Sequence, residues 1–212
     1  MIQILIVDDH AIVRRGLMQI LTDEPDIGVS EAADAHEALK VIGTNAYDLV
    51  VLDLDLKSKS GLDLMKEIKR EKPELPVLFL SVYPEEQFAV RTLKAGASGF
   101  MSKDAAPEEL VNAIRKILRG GKYINDSVAE RLLIDLNAPA QRAEGMQHEA
   151  LSDREFQILR LFGEGKTVGE IAAELSISVP TVSTHRTRIL EKMGMKTTAE
   201  LVRYVIEHHL VP

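Results

Sequence analysis

The chain has 212 residues, of which 45% are hydrophobic and none is cysteine, and its formal net charge is −7. This length is sufficient for two domains, while the lack of cysteine excludes disulfides, thiolate metal sites and cysteine nucleophiles, and leaves oxygen or histidine to bind any metal. No apolar run approaches the roughly 18 residues that cross a bilayer, and the acids within MIQILIVDDH do not suit a signal peptide, so we expect a cytoplasmic protein that makes no membrane contact.

The first 125 residues alternate short apolar segments with segments of helical periodicity. Strands are predicted at 2–7, at 27–31, within the apolar run 49–56, at 77–81 and at 98–101. Helices are predicted at 12–21, 36–42, 61–70 and 84–94, and from Pro107 to the pair Gly120 and Gly121, which disfavours further helix. This alternation predicts an α/β fold with a doubly wound, five-stranded parallel sheet of order 2-1-3-4-5.

A change of composition separates these residues from the rest of the chain. The segment 137–150, NAPAQRAEGMQHEA, is rich in alanine, proline, glycine and polar residues and has little to bury. We predict a first domain at 1–125, a linker at 126–147 with room for a short helix at 128–136, and a second domain at 148–212.

From Leu151 onward the periodicity is helical only, which predicts an all-α domain of four helices. Three hydroxyl residues precede a glutamate by three positions, a pattern that predicts a capping box at a helix start. These pairs are Ser152 with Glu155, Thr167 with Glu170, and Thr197 with Glu200. A fourth helix is predicted near Ser178, with Pro180 tolerated in its first turn. The short turn at 176–178 makes a helix-turn-helix, whose later helix can enter a DNA groove.

Polar residues of the first domain lie where its strands end. They are Asp8 and Asp9 after the first strand, Asp53 at the end of the third, Ser81 after the fourth and Lys103 after the fifth. Because strands one and three are neighbours in the predicted order, the three acids share a pocket that needs a cation, and Mg²⁺ fits. Lys103 supplies a charge for a phosphoryl oxygen and Ser81 a hydroxyl. The set suits phosphoryl transfer to a carboxylate, although a single acid at a strand end also commonly caps the next helix.

Over residues 1 to about 120, this set resembles the phosphoacceptor site of two-component response regulator receiver domains. The resemblance implies that Asp53 is phosphorylated by a partner histidine kinase. It implies a Mg²⁺ site made by Asp8, Asp9, Asp53 and the backbone carbonyl of Asp55. It also implies that Lys103 acts on the phosphoryl group and that the switch pair is Ser81 and Phe100.

The segment LSDREFQILRLFGEGKTVGEIAAELSISVPTVSTHRTRILEKMGMKTTAELV, from Leu151, is similar to the LuxR-type helix-turn-helix of NarL/FixJ-class regulators. Helical spacing predicts a buried stripe made by Val182, Ile189 and Met193, with Ile171 and Leu175 from the preceding helix. Contacts to base edges are then expected from Ser183, Thr184, Thr187 and Arg188. Contacts to phosphates are expected from Lys166, Thr181, Arg186 and Lys192.

The charge of the second domain limits how it can bind DNA. Residues 148–212 carry 8 lysines and arginines against 9 aspartates and glutamates, so no general basic field attracts the duplex. Binding must come from the local cluster, and from two copies on a near-palindromic site.

Three functions from different classes are compatible with these patterns. The first is a DNA-binding response regulator, in which phosphorylation controls homodimerisation and sequence-specific transcription. The second is a transcription factor that works without phosphorylation. The third is a haloacid dehalogenase-like phosphatase, because Asp53, Leu54 and Asp55 have its DxD spacing; there, however, the motif follows the first strand, and here it follows the third. We therefore expect a transcription regulator and not an enzyme.

Overall fold

The computed structural model describes residues 1–57, 59–82, 85–105, 107–125, 128–130 and 147–211. The chain divides into two compact units, Met1–Leu132 and Leu133–Pro212. The predicted linker and its short helix lie outside the described residues apart from 128–130 and 147, as does Pro84, the predicted start of the fourth helix.

The first unit contains a parallel sheet with the order β2-β1-β3-β4-β5, which confirms the predicted topology. Its strands are β1 Ile2–Val7, β2 Ile27–Ala32, β3 Leu49–Asp53, β4 Val77–Ser81 and β5 Gly99–Ser102. The helices that alternate with them are α1 Ala11–Thr22, α2 Ala35–Thr44, α3 Gly61–Glu71, α4 Glu85–Lys94 and α5 Pro107–Leu118.

The central strands are apolar without alternation because helices cover both faces of the sheet. Every residue of β3 and β4 is buried. On one face, alternate residues of β1, β3 and β4 pack against α5; this cluster includes Ile4, Ile6, Leu49, Val51, Leu78, Leu80, Leu110, Ile114 and Ile117. The rigid centre of the sheet thus holds the ends of β1, β3 and β4 in fixed register.

Strand β3 is shorter than the apolar run that contains it. The Leu54 N–H still donates to the Leu80 carbonyl at 3.3 Å, but β4 ends one residue later. The chain then turns, with an antiparallel bridge between Asp55 and Ser60 and a hydrogen bond of 2.9 Å from the Gly61 N–H to the Leu54 carbonyl. Asp53 is therefore the last strand residue, directly before a tight turn into α3.

The second unit is helical in its described part. A 3₁₀ turn at Gln147–Ala150 precedes α6 Asp153–Gly163, α7 Val168–Glu174, α8 Val179–Lys192 and α9 Thr198–Glu207. α6 and α9 approach closely at Gly163, where an added Cβ would lie 2.1 Å from Val205 Cγ1. Within the residues described, no helix is both long enough and apolar enough to cross a membrane.

Two of the three predicted capping boxes form completely, and in the third only one of the two reciprocal hydrogen bonds forms. Ser152 with Glu155 and Thr167 with Glu170 make both reciprocal bonds. The Thr197 hydroxyl accepts the Glu200 N–H, but the Glu200 carboxylate accepts the N–H of Lys196 at 2.8 Å, one residue before the cap. The prediction of a third complete box is therefore wrong, because the N–H of a neighbouring residue competes for the same carboxylate.

Candidate functional site

The loops after β1 and β3 bring the predicted acids together. β1 and β3 are hydrogen-bonded neighbours with Val7 opposite Leu52, so the residues that follow them meet at one sheet edge. One ligand atom each from Asp8, Asp9, His10 and Asp53 lies within 4.8 Å of the others. His10 was not among the predicted site residues, although its position directly after the two acids was a signal for it.

Lys103 lies between two of these acids. Its Nζ is 2.6 Å from Asp8 Oδ2 and 2.9 Å from Asp53 Oδ2. The backbone N–H of Lys103 donates to the Ser81 carbonyl at 2.8 Å, which fixes the start of this side chain relative to β4. One ammonium group thus serves as the counter-ion of two buried carboxylates.

The surroundings of Asp53 disfavour its negative charge. Burial, opposed by the Lys103 ammonium and reinforced by the charge of Asp8, raises the pKa of Asp53 to about 7. Burial would lower the pKa of Lys103, but attraction to Asp53 and Asp8 outweighs it and the pKa of Lys103 is raised. The pKa of Asp53 is thus raised because burial outweighs the attraction of Lys103, whereas the pKa of Lys103 is raised because two carboxylates outweigh its own burial.

The pocket fits a divalent cation by its donor set. Asp9 Oδ1 is buried, and His10 Nδ1 lies 2.8 Å from it. Carboxylate oxygens at this density are ligands that Mg²⁺ accepts. The turn that carries Asp55 adjoins the pocket, and a metal contact by its backbone carbonyl stays a prediction.

The predicted switch pair lies on β4 and β5. Ser81 is the last residue of β4, and Phe100 of β5 is fully buried. Phe100 is paired with Phe79, two residues before Ser81, so both side chains lie on the same face of the sheet. The predicted switch pair therefore consists of a residue at the strand end beside the pocket, Ser81, and a core residue on the same face of the sheet, Phe100.

Helix α8 has the features of a DNA-reading helix. Ser178 caps its start, and Val182, Ile189 and Met193 are buried with Ile171 and Leu175, which confirms the predicted stripe. Thr184 and Thr187 are exposed, and their hydroxyls donate to the carbonyls of Pro180 and Ser183 at 3.0 and 3.2 Å. Of the other predicted contacts, Thr181, Arg188 and Lys192 are exposed, while Lys166, Ser183 and Arg186 are partly buried.

The side chains that were predicted to contact phosphates differ in the partners that they have within the described structure. Lys166 Nζ lies 2.9 Å from Glu164 Oε2 and 2.7 Å from Glu174 Oε2. Lys192 Nζ lies 2.6 Å from Glu155 Oε2. The buried Arg186 Nε, by contrast, has no hydrogen-bond partner among the described residues.

His185 lies beside the buried stripe of α8 and is partly buried. Burial, followed by the nearby charge of Arg154, lowers the pKa of His185, so the neutral imidazole is favoured.

Comparison with known families explains both units. Residues 4–115 match the family "Response regulator receiver domain", and residues 149–205 match "Bacterial regulatory proteins, luxR family". The chain belongs to the LuxR-type response regulators. It is a DNA-binding transcription regulator and not an enzyme, so the phosphatase alternative is wrong.

Relatives of this response regulator match along nearly the whole chain. Response regulator UvrY of Escherichia coli (strain K12) is 35% identical over 211 residues, covering 99% of this chain and 96% of the relative. Response regulator GacA of Pseudomonas aeruginosa is 34% identical over 212 residues, covering 100% and 98%. The solved structure of RcsB from Salmonella enterica serovar Typhimurium, bound to promoter P1flhDC with phosphomimetic BeF₃⁻, has a TM-score of 0.64 and 28% identity, covering 96% and 98%.

Proposed function

We propose that this response regulator is switched by phosphorylation of Asp53 by a partner histidine kinase. The observation that carries the proposal is the position of Asp53, a buried carboxylate at the end of β3, with Asp8 and Asp9 beside it and Lys103 Nζ 2.9 Å away.

The chemistry is attack by an ionised Asp53 oxygen on phosphorus, while the bond from phosphorus to the kinase histidine breaks. Asp8, Asp9, Asp53 and the Asp55 carbonyl would hold Mg²⁺, which neutralises phosphoryl charge. Lys103 exchanges its contact with Asp53 for a phosphoryl oxygen, and the Ser81 hydroxyl donates to another. Burial raises the pKa of Asp53 to about 7 despite the nearby Lys103, and a cation held here would favour the ionised carboxylate that attacks.

The signal leaves the pocket through the ends of β4 and β5. The Ser81 carbonyl accepts the Lys103 N–H at 2.8 Å, so a shift of Ser81 towards the phosphoryl group moves the β5 end with it. Phe100, on the same face as Ser81, then repacks as the second member of the switch pair. Phosphorylation adds about −1.5 to −2 charges at this point, which supplies the driving interaction.

For the second unit we propose that α8 reads DNA in the major groove. Ser183, Thr184, Thr187 and Arg188 contact bases, while Lys166, Thr181, Arg186 and Lys192 contact phosphates. RcsB, which this chain resembles, is described as bound to a promoter and as two dimers on two parallel DNAs. By analogy, we propose a homodimer on a near-palindromic site, where two weak half-site contacts combine.

We also propose the domain limits 1–125 and 148–212, with 126–147 joining them. A regulator that binds chromosomal DNA acts where that DNA lies, so we place this protein in the bacterial cytoplasm.

The test is phosphorylation of the full chain by acetyl phosphate with Mg²⁺. The wild type should gain one phosphoryl group by mass and bind promoter DNA more tightly, whereas Asp53→Asn should do neither. Asp23→Asn, at an exposed aspartate at the end of α1, is the matched control and should behave as the wild type. An unchanged mass together with unchanged DNA affinity would favour the phosphorylation-independent transcription factor.

A further inference from the structure

The turn from β1 into α1 is held by Arg14, a residue of α1 whose side chain is 13% exposed. Its Nη1 donates to the Asp8 carbonyl oxygen at 2.7 Å, and its Nε donates to Glu31 Oε2 at 2.9 Å. One planar guanidinium group therefore joins the main chain at the end of β1 to a side chain of β2.

The Asp8 carbonyl lies where the ladder between β1 and β2 ends. The Asp8 N–H donates to the carbonyl of Ala32 at 3.3 Å, and Ala32 is the last residue of β2. The chain beyond Ala32 leaves the sheet, because α2 begins at Ala35. A main-chain carbonyl at such a place needs a donor from elsewhere. Arg14 takes the place of the next strand residue and fixes the peptide that joins Asp8 to Asp9.

This peptide sets the direction of both acids, and Asp9 depends on it more than Asp8 does. The Asp8 carboxylate is also held by the His10 N–H at 2.7 Å and by Lys103 Nζ at 2.6 Å. Within the described residues, the Asp9 carboxylate contacts the side chains of His10 at 2.8 Å and Lys57 at 3.5 Å, which are 61% and 60% exposed. Since exposed partners hold a side chain weakly, the backbone decides where Asp9 points.

We propose that Arg14 is a positioning residue of the acid pocket, which holds the main chain of Asp8 and Asp9 so that both carboxylates face an entering cation. The inference rests on the proposed function, because it requires Mg²⁺ to bind between these acids. Ligands that are already in place lose less conformational freedom when the ion binds. A lysine could not do the same, because one ammonium group lacks the planar fork that bonds the Asp8 carbonyl and Glu31 together.

Positioning and charge predict opposite effects on cation binding. Arg14 carries a positive charge beside an acidic pocket, so by Coulomb repulsion alone its removal should tighten Mg²⁺ binding. Loss of a group that positions the ligands should instead weaken Mg²⁺ binding roughly tenfold or more, the scale typical of lost outer-shell partners of a metal site. The sign of the change in affinity therefore separates the two roles.

The test compares Arg14→Met with Arg15→Met in the full chain. Arg15 is the next residue of α1 and is exposed, so the control removes the same charge from the same helix. Calorimetry with Mg²⁺ should show weaker binding in Arg14→Met and wild-type binding in Arg15→Met. Hydrogen exchange of the metal-free protein should be faster directly after β1 in Arg14→Met. Its phosphorylation by acetyl phosphate should be slow at limiting Mg²⁺ and should recover at saturating Mg²⁺.

Arg14→Lys keeps the charge and most of the side chain, so it decides the question even if Arg14→Met does not fold. Its Mg²⁺ binding should also be weaker than that of the wild type. Unchanged or tighter binding in Arg14→Lys, or in a folded Arg14→Met, overturns the positioning role and leaves the cation pocket of the proposed function intact. Absence of Mg²⁺ binding in the wild type overturns the cation part of the proposed function and this inference with it.

Discussion

Lys192 at the end of α8 and Glu155 in the first turn of α6 form an ion pair with 2.6 Å between Nζ and Oε2. The same Glu155 oxygen accepts the Ser152 N–H at 2.8 Å in the capping box of α6. Helix α8, which we propose to read DNA, is thus anchored at its last residue to the start of α6. Lys192, which we predict to contact a DNA phosphate, also positions this helix.

We predict that Lys192→Met destabilises the second unit by about 1 to 2 kcal/mol, because Glu155 is buried and would lose its counter-ion while Lys192 itself is partly exposed. Hydrogen exchange followed by mass spectrometry should show faster exchange in α6 and α8. Lys196→Met, at an exposed lysine beyond α8, is the control and should change little. Unchanged exchange in α6 would show that the pair does not anchor the helix.

The Lys192 pair also gives a pH dependence. Burial raises the pKa of Glu155, but its bonds to Lys192 and Ser152 prevail, and the pKa is lowered. A carboxyl with a lowered folded pKa stabilises above its unfolded pKa and loses this contribution as the pH falls through the folded value. The stability difference between wild type and Lys192→Met should therefore shrink in acid, which denaturation at a series of pH values below 5 would measure.

Asp53→Asn should stabilise the metal-free protein at neutral pH by about 1 to 3 kcal/mol. The folded pKa of Asp53, about 7, lies above the 3.8 of an unperturbed aspartate, so the folded state binds a proton more tightly and stability falls as the pH rises between these values. Thermal melting at pH 8 should show the gain, and melting near pH 4 should not. A gain that is independent of pH would contradict the proposed origin.

Gly61→Ala should destabilise the first unit by about 1 to 3 kcal/mol, since its Cβ would lie 2.2 Å from the Asp53 carbonyl oxygen and force the backbone to move. Gly43→Ala is the matched control: it lies within α2, nothing surrounds its added Cβ within 4 Å, and helix propensity predicts a gain of about 0.5 to 1 kcal/mol. Urea denaturation followed by circular dichroism compares the two. Equal stabilities for both variants would argue against the clash.

Thr187→Val should change the DNA sequence that the protein selects, whereas Arg186→Ala should weaken all sequences alike and reduce the salt slope of binding by about one. Thr187 is exposed on α8, and the buried Nε of Arg186 has no hydrogen bond within the described residues that a phosphate contact would have to break. Selection from random DNA and titrations at several salt concentrations separate the two effects. A changed preference in Arg186→Ala would place that arginine at the bases instead.

The sheet and its pocket were predictable because they depend on patterns within single segments. Apolar runs predicted the strands. Asp8 and Asp9 follow the first strand and Asp53 ends the third, so the known geometry of parallel sheets brings the three acids together. The burial of Val182, Ile189 and Met193 followed from helical spacing in the same way.

What was not predictable depends on contacts between distant residues or on rotamers. Glu155 and Lys192 lie 37 positions apart, and no periodicity links them. The direction of the His10 ring depends on χ angles, which the sequence does not encode by itself. The Glu200 carboxylate can accept the N–H of Thr197 or that of the preceding Lys196, and it accepts the latter. A four-residue sequence pattern does not distinguish between these two neighbouring donors.

The missing Cβ of Gly61 allows α3 to begin in contact with the Asp53 main chain. The peptide of Asp53, the acceptor that we propose, is therefore held between the sheet and the start of α3, and its backbone has little room to move. If Asp53 is phosphorylated as proposed, we expect the added group to be accommodated by its side chain and by the neighbouring loops, and not by the backbone to which it is attached.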